Sequence, residues 1–470
     1  MSARVRSRWT MTALTAVTAA GALIACGTGS TAKAATSGAG TVRASVQEDF
    51  NGDGYADLVV GAPRGTVGGL TDAGYVTVMY GSAHGLSASH RTVISRATQG
   101  IPGDPQEGLG FGYAVSKGDL DEDGYADLVI SSLGEDSSVI VWGGKGGLSG
   151  GTAIPHYRSL SRTGDFNGDS HTDLALFQTT HTGHDDPSGT DTVVWYGPVS
   201  RAGKPASTST FGASSTRLDE VQSAASGDVN GDGYADLALA DYTGEGGTGT
   251  ELYYGSASGL RTTSDRDIPY ADTATLGDVN HDGYDDFIAG DATNAYVIVG
   301  YGSAAGLPTG SAWTRITRST AGVPGKRSDD GFGTSLSVGD VNGDGIDDVA
   351  VGAPGSQVDG KADAGDVVLL RGSKSGLTGR NAQSFSQNTS GVPGTAEAND
   401  QFGSQVQLLD INGNGRADLA AAALRENSWN GAVWVLRGTK TGLTSDAAFA
   451  FGGKTIRAPY AKAWFGFTLG

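Results

Sequence analysis

Seven short stretches of this chain carry oxygen-bearing side chains at a spacing that suits a hard metal ion. Each stretch is nine residues long and places Asp or Asn at positions 1, 3, 5 and 9, with Gly at position 6 in six of the seven copies. Calcium takes about six to eight oxygen ligands, and a glycine lets the backbone turn sharply enough to point alternate side chains inward. The spacing therefore predicts seven calcium-binding loops, each followed by an apolar run typical of a strand.

Position 7 of each loop varies in residue type, so we expect it to contribute only its backbone carbonyl. The predicted ligands are Asp49, Asn51, Asp53, Tyr55 and Asp57 in the first loop; Asp119, Asp121, Asp123, Tyr125 and Asp127 in the second; Asp165, Asn167, Asp169, His171 and Asp173 in the third; Asp228, Asn230, Asp232, Tyr234 and Asp236 in the fourth; Asp278, Asn280, Asp282, Tyr284 and Asp286 in the fifth; Asp340, Asn342, Asp344, Ile346 and Asp348 in the sixth; and Asp410, Asn412, Asn414, Arg416 and Asp418 in the seventh.

The alternative is that these stretches are plain Asp/Asn/Gly turns, since the same residues favour tight turns. The ligand positions hold 21 carboxylates, and clustering them without a cation would be strongly repulsive. We expect weaker sites in the third loop, where Ser170 replaces the glycine, and in the seventh, where Asn414 replaces an aspartate. The loops lack the twelfth-position Glu of an EF-hand and precede strands, which favours a structural role for up to seven Ca²⁺ ions.

The N-terminus predicts export. Residues 1–25 combine three arginines with a short apolar run, as in a signal peptide, and the only cysteine, Cys26, follows directly. Leu23 to Cys26 resembles the lipobox of bacterial lipoproteins, so we predict a lipid anchor at Cys26 and a flexible tether over residues 26–40. The competing interpretation is cleavage after Ala34 and release as a soluble secreted protein. The net charge of −19, with no basic patch, argues against nucleic-acid binding.

Around each acidic loop the same short strands recur, with turn residues at fixed offsets. An apolar strand precedes the loop, a second follows it, and a third with β-branched and aromatic residues ends in a repeated turn such as Gly81 to Leu86. A weaker fourth strand comes next, for example at Arg91. Four antiparallel strands repeated at a long period, in a chain with 77 glycines, predict an all-β protein with the architecture of a β-propeller.

Two residue pairs carry a family resemblance. Phe-Gly precedes three of the loops (Phe111, Phe332 and Phe402), and Gly-Ala-Pro follows two of them (Gly61 to Pro63 and Gly352 to Pro354). Together with the acidic loop they resemble FG-GAP repeats, the unit of the integrin α-subunit N-terminal propeller. The resemblance covers about residues 41–470 and implies a seven-bladed propeller with calcium in the loop joining the first two strands of each blade.

Blades three, four and five depart from the FG-GAP pattern, because Tyr157, Glu220 and Tyr270 occupy the Phe position and Gly-Ala-Pro is absent. We interpret them as degenerate repeats. The chain ends in Phe465-Gly466-Phe-Thr-Leu-Gly470, a first strand with no acidic loop behind it, while the first repeat lacks Phe-Gly. We therefore predict that the C-terminal strand completes the first blade and closes the ring; the alternative is a truncated eighth repeat.

No catalytic constellation emerges from the sequence, and we predict a monomeric binding or adhesion module with an unknown protein or glycan ligand. By analogy with integrin propellers, the face opposite the acidic loops would bind. The candidate segments are Arg64 to Ala73, Gln99 to Gly110, Thr179 to Thr190, Thr320 to Gly331, Gly355 to Ala364 and Ser390 to Gln401. The alternatives are a secreted propeller hydrolase or lyase acting on polysaccharide or lipid, and a structural envelope protein without a small ligand.

Overall fold

The computed structural model describes residues 46–133, 137–157, 160–179, 189–212, 220–244, 247–262, 268–325 and 329–470. The predicted signal peptide, Cys26 and the tether lie outside the described residues and stay predictions. The described part is built almost entirely of short antiparallel strands, in seven sheets. Helical structure is limited there to a 3₁₀ turn at Val46–Glu48 and one short turn at Glu426–Trp429.

The strands follow one another along the chain, blade by blade. They are β1 (Leu58–Ala62), β2 (Tyr75–Met79) and β3 (Arg91–Ile94) in blade one; β4 (Val115–Gly118), β5 (Asp127–Ile130), β6 (Ser137–Trp142) and β7 (Ser149–Pro155) in blade two; β8 (Ser161–Gly164), β9 (Asp173–Thr179), β10 (Thr190–Tyr196) and β11 (Ser207–Ser209) in blade three; β12 (Glu220–Gly227), β13 (Asp236–Gly244) and β14 (Gly247–Tyr253) in blade four; β15 (Thr273–Gly277), β16 (Asp286–Asp291), β17 (Tyr296–Gly300) and β18 (Thr314–Thr317) in blade five; β19 (Ser335–Gly339), β20 (Asp348–Ala353), β21 (Asp366–Arg371) and β22 (Thr378–Phe385) in blade six; and β23 (Phe402–Leu409), β24 (Asp418–Ala423), β25 (Ala432–Thr439) and β26 (Gly442–Phe451) in blade seven, followed by β27 (Thr468–Leu469).

The predicted seven-bladed β-propeller is confirmed. Six sheets have four strands, and blade four has three within the residues that the structure describes. The second and third strands of each blade carry the apolar runs of the sequence, and β1 and β20 are buried at every position. A strand buried on both faces must lie between two layers, because a blade packs against a neighbour on each side.

Seven hydrophobic clusters hold the ring together, one at each junction between neighbouring blades. At the junction of blades one and two, Val59 and Val76 pack with Phe111, Leu128 and Ile130. Burying one such side chain contributes about 1.5–3 kcal/mol. The core is therefore distributed around the ring, and each blade depends on both of its neighbours.

The Phe-Gly and Gly-Ala-Pro pairs form a joint between consecutive blades. Gly352 of blade six lies against the carbonyl of Gly403 in blade seven, so closely that a Cβ on Gly352 would lie 2.0 Å from that oxygen. Gly403 itself has φ +86°, a conformation that favours glycine. The amide of Phe402 donates to the carbonyl of Ala364 in blade six at 2.9 Å, and the Phe402 ring is fully buried. The Phe-Gly and Gly-Ala-Pro pairs therefore form the close contact between neighbouring blades.

This joint corrects two expectations. The first strand was expected to begin at Phe-Gly, and β23 does begin at Phe402, but β4 and β19 begin four and three residues after Phe111 and Phe332. Blade five, interpreted as degenerate, retains the joint: a Cβ on Gly290 would lie 2.1 Å from the carbonyl of Gly333. Tyr270, by contrast, does not replace the buried Phe, since 71% of its surface is exposed.

The predicted ring closure is confirmed. β27 pairs antiparallel with β1, with Leu469 opposite Val60 and Thr468 opposite Gly61, so that the C-terminus supplies the first strand of blade one. The amide of Val59 donates to the carbonyl of Gly470 at 2.8 Å, and Phe465 is fully buried in the cluster between blades seven and one. Closure removes the two free sheet edges that an open ring would expose.

An aromatic clamp, formed by Trp429, Trp464, Phe467 and Tyr113, secures this closure and was not foreseen from the sequence. The ring centroids of Trp464 and Trp429 lie 5.1 Å apart in a stacked arrangement, and Phe467 stacks on Trp464 at 5.7 Å. The Arg64 guanidinium lies 3.9 Å from the Trp464 ring centroid. Trp429 and Trp464 both have positive φ, which is rare for bulky residues, so the clamp holds the backbone in a conformation that costs energy.

We predict that deleting residues 463–470 destabilises the whole ring. The deletion removes β27, half of the clamp and the buried Phe465, whose loss alone costs about 3–5 kcal/mol. The thermal unfolding midpoint should fall by at least about 5 °C in a melting experiment. Tyr460→Ala, which truncates a 43% exposed aromatic in the same tail, is the control and should melt close to the parent. An unchanged midpoint for the deletion would contradict closure.

Acidic loops and the opposite face

All seven acidic loops lie at one end of the blades. From blade two onward, each loop leaves the end of the first strand and enters the second, and its position 9 is the first residue of that second strand. In blade one the loop enters β1 from the chain start, because β27 supplies the first strand. Since neighbouring strands are antiparallel, the loops from second to third strand and from fourth strand to the next blade lie at the opposite end.

Within each loop the acidic side chains are held by the loop's own backbone. In the first loop, Asp49 Oδ1 accepts a hydrogen bond from the amide of Gly52 at 2.6 Å, and its Oδ2 accepts one from Gly54 at 2.7 Å. Asn51 Oδ1 accepts from the amide of Asp53 at 2.9 Å. The same bonds from positions 4 and 6 to position 1 recur in loops three, four, five and six. These loops therefore share one backbone shape, in which the position-1 carboxylate accepts from the loop's own amides.

The position-9 aspartate ties three parts of each blade together. Asp57 is fully buried; its Oδ2 accepts from the amide of Phe50 in the loop, and its Oδ1 accepts from Gly81 at the end of the third strand, at 3.0 and 2.9 Å. The bond from the end of the third strand recurs in every blade, at Asp127, Asp173, Asp236, Asp286, Asp348 and Asp418. These carboxylates join the loop to the sheet.

Burial strongly perturbs these aspartates. It raises the pKa of Asp57 to about 8, and the charges of Asp49 and Asp53 raise it further, while the two backbone hydrogen bonds oppose the shift. Burial likewise raises the pKa of the other six position-9 aspartates to about 7. Without a cation, these carboxylates are therefore costly to ionise at neutral pH.

The second loop is the best prepared to hold a cation. Asp119, Asp121 and Asp127 each offer a carboxylate oxygen, and these atoms lie within 4.8 Å of one another. The Oδ1 atom of Asp121 is buried and has no hydrogen-bond partner, which leaves it available as a ligand. Arg201, from blade three, binds Asp121 Oδ2 and Asp123 Oδ2, so a cation in this loop would share its carboxylates with a guanidinium. An all-oxygen donor set of this kind fits a hard divalent cation.

The two loops that depart from the sequence pattern differ in what they change. Ser170 adopts φ +70°, and its amide donates to Asp165 Oδ2 at 2.8 Å, so the third loop keeps the shape of the others despite the missing glycine. In the seventh loop the Asn412 amide donates to Asp418 Oδ2 at 2.7 Å. Only two carboxylates are left in the seventh loop, so we still expect weaker calcium binding there because of its lower negative charge. In the third loop the preserved backbone shape removes the reason for expecting weaker binding.

Position 7 has a second role that the sequence analysis missed. Its side chain packs on position 4 of the preceding loop: Tyr284 covers Gly231, and Arg416 covers Gly343 and donates to the carbonyl of Asn342 at 3.2 Å. Tyr125 and Tyr234 cover Gly52 and Gly168 in the same way. Where position 4 is Glu122, position 7 is His171, and the two form an ion pair that raises the pKa of His171. Residue type at position 7 is therefore matched to the neighbouring loop.

Backbone hydrogen bonds also connect the loops head to tail. The amide of position 8 donates to the carbonyl of position 1 in the preceding blade, as from Ala126 to Asp49 at 2.9 Å. The equivalent bonds run from Ala56 to Asp410, Ala235 to Asp165, Asp285 to Asp228, Asp347 to Asp278 and Ala417 to Asp340. Asp285 and Asp347 add two carboxylates outside the predicted ligand set, and burial raises the pKa of Asp347 to about 6.

The opposite face carries a pocket of about 550 Å³ on the axis of the ring. Several blades line it, with Tyr113 and Phe467 of the clamp on one side and Glu220 and Leu133 among the other contributors. Leu133 is 52% exposed, an unusual position for a large apolar side chain, and the buried Ser132 hydroxyl at the wall has no hydrogen-bond partner. The pocket therefore offers apolar surface together with a carboxylate and free polar groups.

Three of the segments predicted to bind ligand contain a turn that contacts the neighbouring strands, and their ligand binding stays a prediction. In the repeated Gly-[Ile/Val]-Pro-Gly turns, the proline carbonyl accepts a hydrogen bond from a neighbouring side chain: Arg96 binds Pro102, Arg318 binds Pro324 at 2.7 Å, and Trp434 binds Pro393 at 2.7 Å. These turns support the ends of the blades. Parts of Thr179 to Thr190 and Thr320 to Gly331 lie outside the described residues.

A second axial pocket, of about 450 Å³, opens at the acidic-loop end. Lys117 lies in it, 3.3 Å from Glu48, and Arg162 donates to Ser226 Oγ at 3.4 Å. Burial lowers the pKa of Arg162. Lys117 and Arg162 stand on the first strands of different blades, far apart in sequence, and only the ring brings them together.

Comparison with known proteins supports the repeat assignment. A family model described as "FG-GAP repeat" matches residues 41–79, 111–149, 221–250, 332–370 and 402–436, which fall in blades one, two, four, six and seven. Blades three and five, interpreted as degenerate, are not matched by that model, whereas blade four is matched although Glu220 was expected at its Phe position. Among the described residues, no helix is both long and apolar enough to cross a membrane.

Individual relatives come from two groups. The chain is 34% identical over 120 residues to phosphatidylinositol-glycan-specific phospholipase D of Bos taurus, covering 25% of this chain and 14% of that protein. It is 30% identical over 155 residues to integrin alpha-PS2 of Drosophila melanogaster, covering 31% and 11%, and 34% identical over 87 residues to integrin alpha-IIb of Mus musculus, covering 18% and 8%. The chain thus matches less than a sixth of the length of each.

We predict that two glycine-to-alanine substitutions in the fourth loop will lower stability by different amounts. One should add only backbone strain, and the other should also disturb the packing of Tyr284 on this loop. Gly231 and Gly233 have φ +69° and +86°, but a Cβ on Gly231 would lie 2.6 Å from the Tyr284 ring, whereas one on Gly233 meets nothing within 4 Å. Gly233→Ala should cost about 1–2 kcal/mol from the backbone alone. Gly231→Ala should cost about 1–3 kcal/mol more in denaturant unfolding, and equal costs would contradict inter-loop packing.

We also predict that the metal-free protein loses stability as pH rises. The position-9 aspartates ionise near pH 4 in the unfolded chain but near pH 7–8 when buried, so they stabilise the fold at low pH and lose that contribution as pH rises through their folded pKa. In chelator, the free energy of unfolding should fall between pH 5.5 and 8, by up to about 1.4 kcal/mol per pH unit for each titrating group. Saturating divalent cation should flatten this trend. Greater stability at pH 8 than at pH 5.5 in chelator would contradict it.

Proposed function

We propose that this FG-GAP repeat protein is an extracellular binding module, a calcium-stabilised propeller that presents a protein- or glycan-binding face at the bacterial cell surface. Attachment would be through a lipid on Cys26, or the protein would be released after Ala34. The observation that carries the proposal is the difference between the two faces of the ring. The face with the linked acidic loops has a pocket lined by the cations Lys117 and Arg162, whereas the other face has the 550 Å³ axial pocket with the exposed Leu133.

Calcium is the ion that best suits the acidic face. The donor set is all oxygen, the loop shape is shared, and the buried position-9 aspartates need a counter-charge to ionise at neutral pH. When bound, calcium would supply that charge and fix the loop. Because the loops are linked by hydrogen bonds from blade to blade, ions in neighbouring loops would stiffen the acidic face as a unit.

The pocket on the opposite face is suited to recognition. It lies on the axis, where the first strands of the blades converge, and it combines exposed apolar surface at Leu133 with the Glu220 carboxylate. Most ligand sites are concave and largely apolar, with a few polar groups that orient the ligand. By its spacing to the acidic loop Glu220 was expected to replace the Phe of other blades, but Phe211 is the aromatic residue buried between blades three and four, and Glu220 lines the pocket instead.

The relatives favour a binding module. Integrin α subunits and the phospholipase differ in name and in activity, yet they share similarity to this chain over short segments. A propeller hydrolase or lyase acting on polysaccharide or lipid is the alternative. We favour binding because two groups of differently named relatives both match this chain over short segments, and a segment shared in this way fits a recognition scaffold better than a reaction centre.

The test is a glycan and matrix-protein array probed with the mature protein, with calcium and with chelator. We expect binding only with calcium, and Glu220→Gln or Leu133→Ser should weaken it at least about tenfold, which is about 1.4 kcal/mol. Tyr270→Ala, a change at a 71% exposed residue that does not line the pocket, should leave binding intact. Turnover of a polysaccharide without binding would support the enzyme alternative, and fewer than about four Ca²⁺ per chain would contradict the loop assignment.

A further inference from the structure

Three turns of the propeller share both sequence and structure. Residues 95–103, 317–325 and 386–394 each end in Gly-[Ile/Val]-Pro-Gly and contain a threonine at the fourth position. In each, the threonine hydroxyl accepts a hydrogen bond from the amide three residues earlier: Ser95 to Thr98 at 3.0 Å, Thr317 to Thr320 at 3.0 Å, and Ser386 to Thr389 at 2.9 Å. The second residue of each turn is therefore placed on the same backbone, which permits direct comparison.

In two of these turns the second residue is a buried arginine. Arg318 is 5% exposed; its Nη1 donates to the carbonyl of Pro324 at 2.7 Å, and its Nε donates to Asp330 Oδ2 at 2.8 Å. Asp330 is 2% exposed and lies two residues before Phe332. Arg96 likewise donates to the carbonyl of Pro102. At the junction of blades five and six, the guanidinium neutralises a carboxylate that would otherwise be buried and unpaired.

In the third turn the arginine is replaced by Gln387, yet the carboxylate is kept. Asp400 holds the place of Asp330, two residues before Phe402, and is 3% exposed. Glu426 adds a second carboxylate, and its Oε2 accepts from Gln387 Nε2 at 2.7 Å. The ion pairs among the described residues include none to Asp400 or Glu426. Asp400 and Glu426 thus lie at one site without a positively charged side chain, whereas Arg318 provides one at the junction of blades five and six.

The amide of Gln387 supplies a second, independent sign of an absent partner. Gln387 is 2% exposed, and its Oε1 is buried without a hydrogen-bond partner. A buried carbonyl oxygen without a donor costs about 1–3 kcal/mol, so native proteins rarely leave one. Burial, together with the nearby Asp400 charge, also raises the pKa of Glu426 to about 7. One oxygen acceptor and two carboxylates therefore lack a positive group at the same place.

We propose that a hard divalent cation such as Ca²⁺ binds between Asp400 and Glu426, in addition to any ions in the acidic loops, with the Gln387 amide rotated so that Oε1 takes the place of Nε2 beside Glu426. The donors are all oxygens, as such a cation requires, and its charge replaces that of the arginine in the other two turns. The site belongs to the face opposite the acidic loops. Glu426 begins the turn that carries Trp429 of the aromatic clamp, and Asn427, Ser428 and Trp429 all have positive φ, so the cation would also stabilise this strained turn.

The test compares calcium stoichiometry in the full mature protein and its variants by equilibrium dialysis with metal analysis. Glu426→Gln and Gln387→Arg should each bind one Ca²⁺ fewer than the parent, however many ions the acidic loops hold. Gln387→Arg should also raise the melting temperature in chelator, because it restores the guanidinium found at Arg318. Asp446→Asn, which removes an exposed charge in the same blade, is the control and should bind as many ions as the parent.

Two results would overturn the proposal. If Glu426→Gln stabilises the metal-free protein while the number of bound ions is unchanged, a proton on Glu426 takes the place of the metal. If Gln387→Arg folds, keeps the parent's ion count and melts no higher in chelator, the comparison between the turns is wrong. Because Gln387→Arg recreates an arrangement already present in this fold, it gives an answer even if Glu426→Gln fails to fold. Failure of ligand binding on the array would leave this result unaffected.

Discussion

The fold depends on one repeated constraint, a buried aspartate at the start of the second strand of each blade. Its carboxylate accepts from the end of the third strand in all seven blades, and in most of them also from the acidic loop. A buried carboxylate is costly to ionise unless positive charge lies nearby. The acidic loop beside it provides the oxygens that can hold such a charge. The geometry of the sheet and the chemistry of the loop are therefore linked through a single side chain.

A closed ring turns this local link into a collective property. Each blade packs against two neighbours, six of the seven loops donate from position 8 to the loop before them, and β27 joins the last blade to the first. A disturbance at one loop is therefore shared with the adjacent blades. The aromatic clamp reinforces the one junction that the chain does not cross continuously, and it does so with Trp429 and Trp464 in backbone conformations that need external support. Stability at that junction is concentrated in few residues.

Much of this architecture was predictable because it is repeated. The acidic loops, their place between the first and second strands, and the closing strand follow from patterns that recur along the chain. The contacts between blades were not predictable in the same way. The pairing of Tyr284 with Gly231, or of His171 with Glu122, joins residues about fifty positions apart and appears as free variation within one repeat. Only a comparison of position 7 in one loop with position 4 in the loop before it would have indicated the match.

The positions where one repeat breaks the pattern are then the most informative ones. In a propeller, a residue type shared by most blades serves packing or loop shape. Where one blade has a different residue at that position, either a nearby change restores the packing or shape, or the new residue has a role of its own. Ser170 is compensated, since it adopts the backbone conformation of the glycine it replaces. At Glu220 the packing is kept, because Phe211 is buried at the same junction, and the carboxylate lines the axial pocket. Gln387 shows no such compensation among the described residues, because it leaves two carboxylates without a cation. Glu220 and Gln387 both lie on the face away from the acidic loops, which is where individual blades are free to differ because the shared loop chemistry does not constrain them.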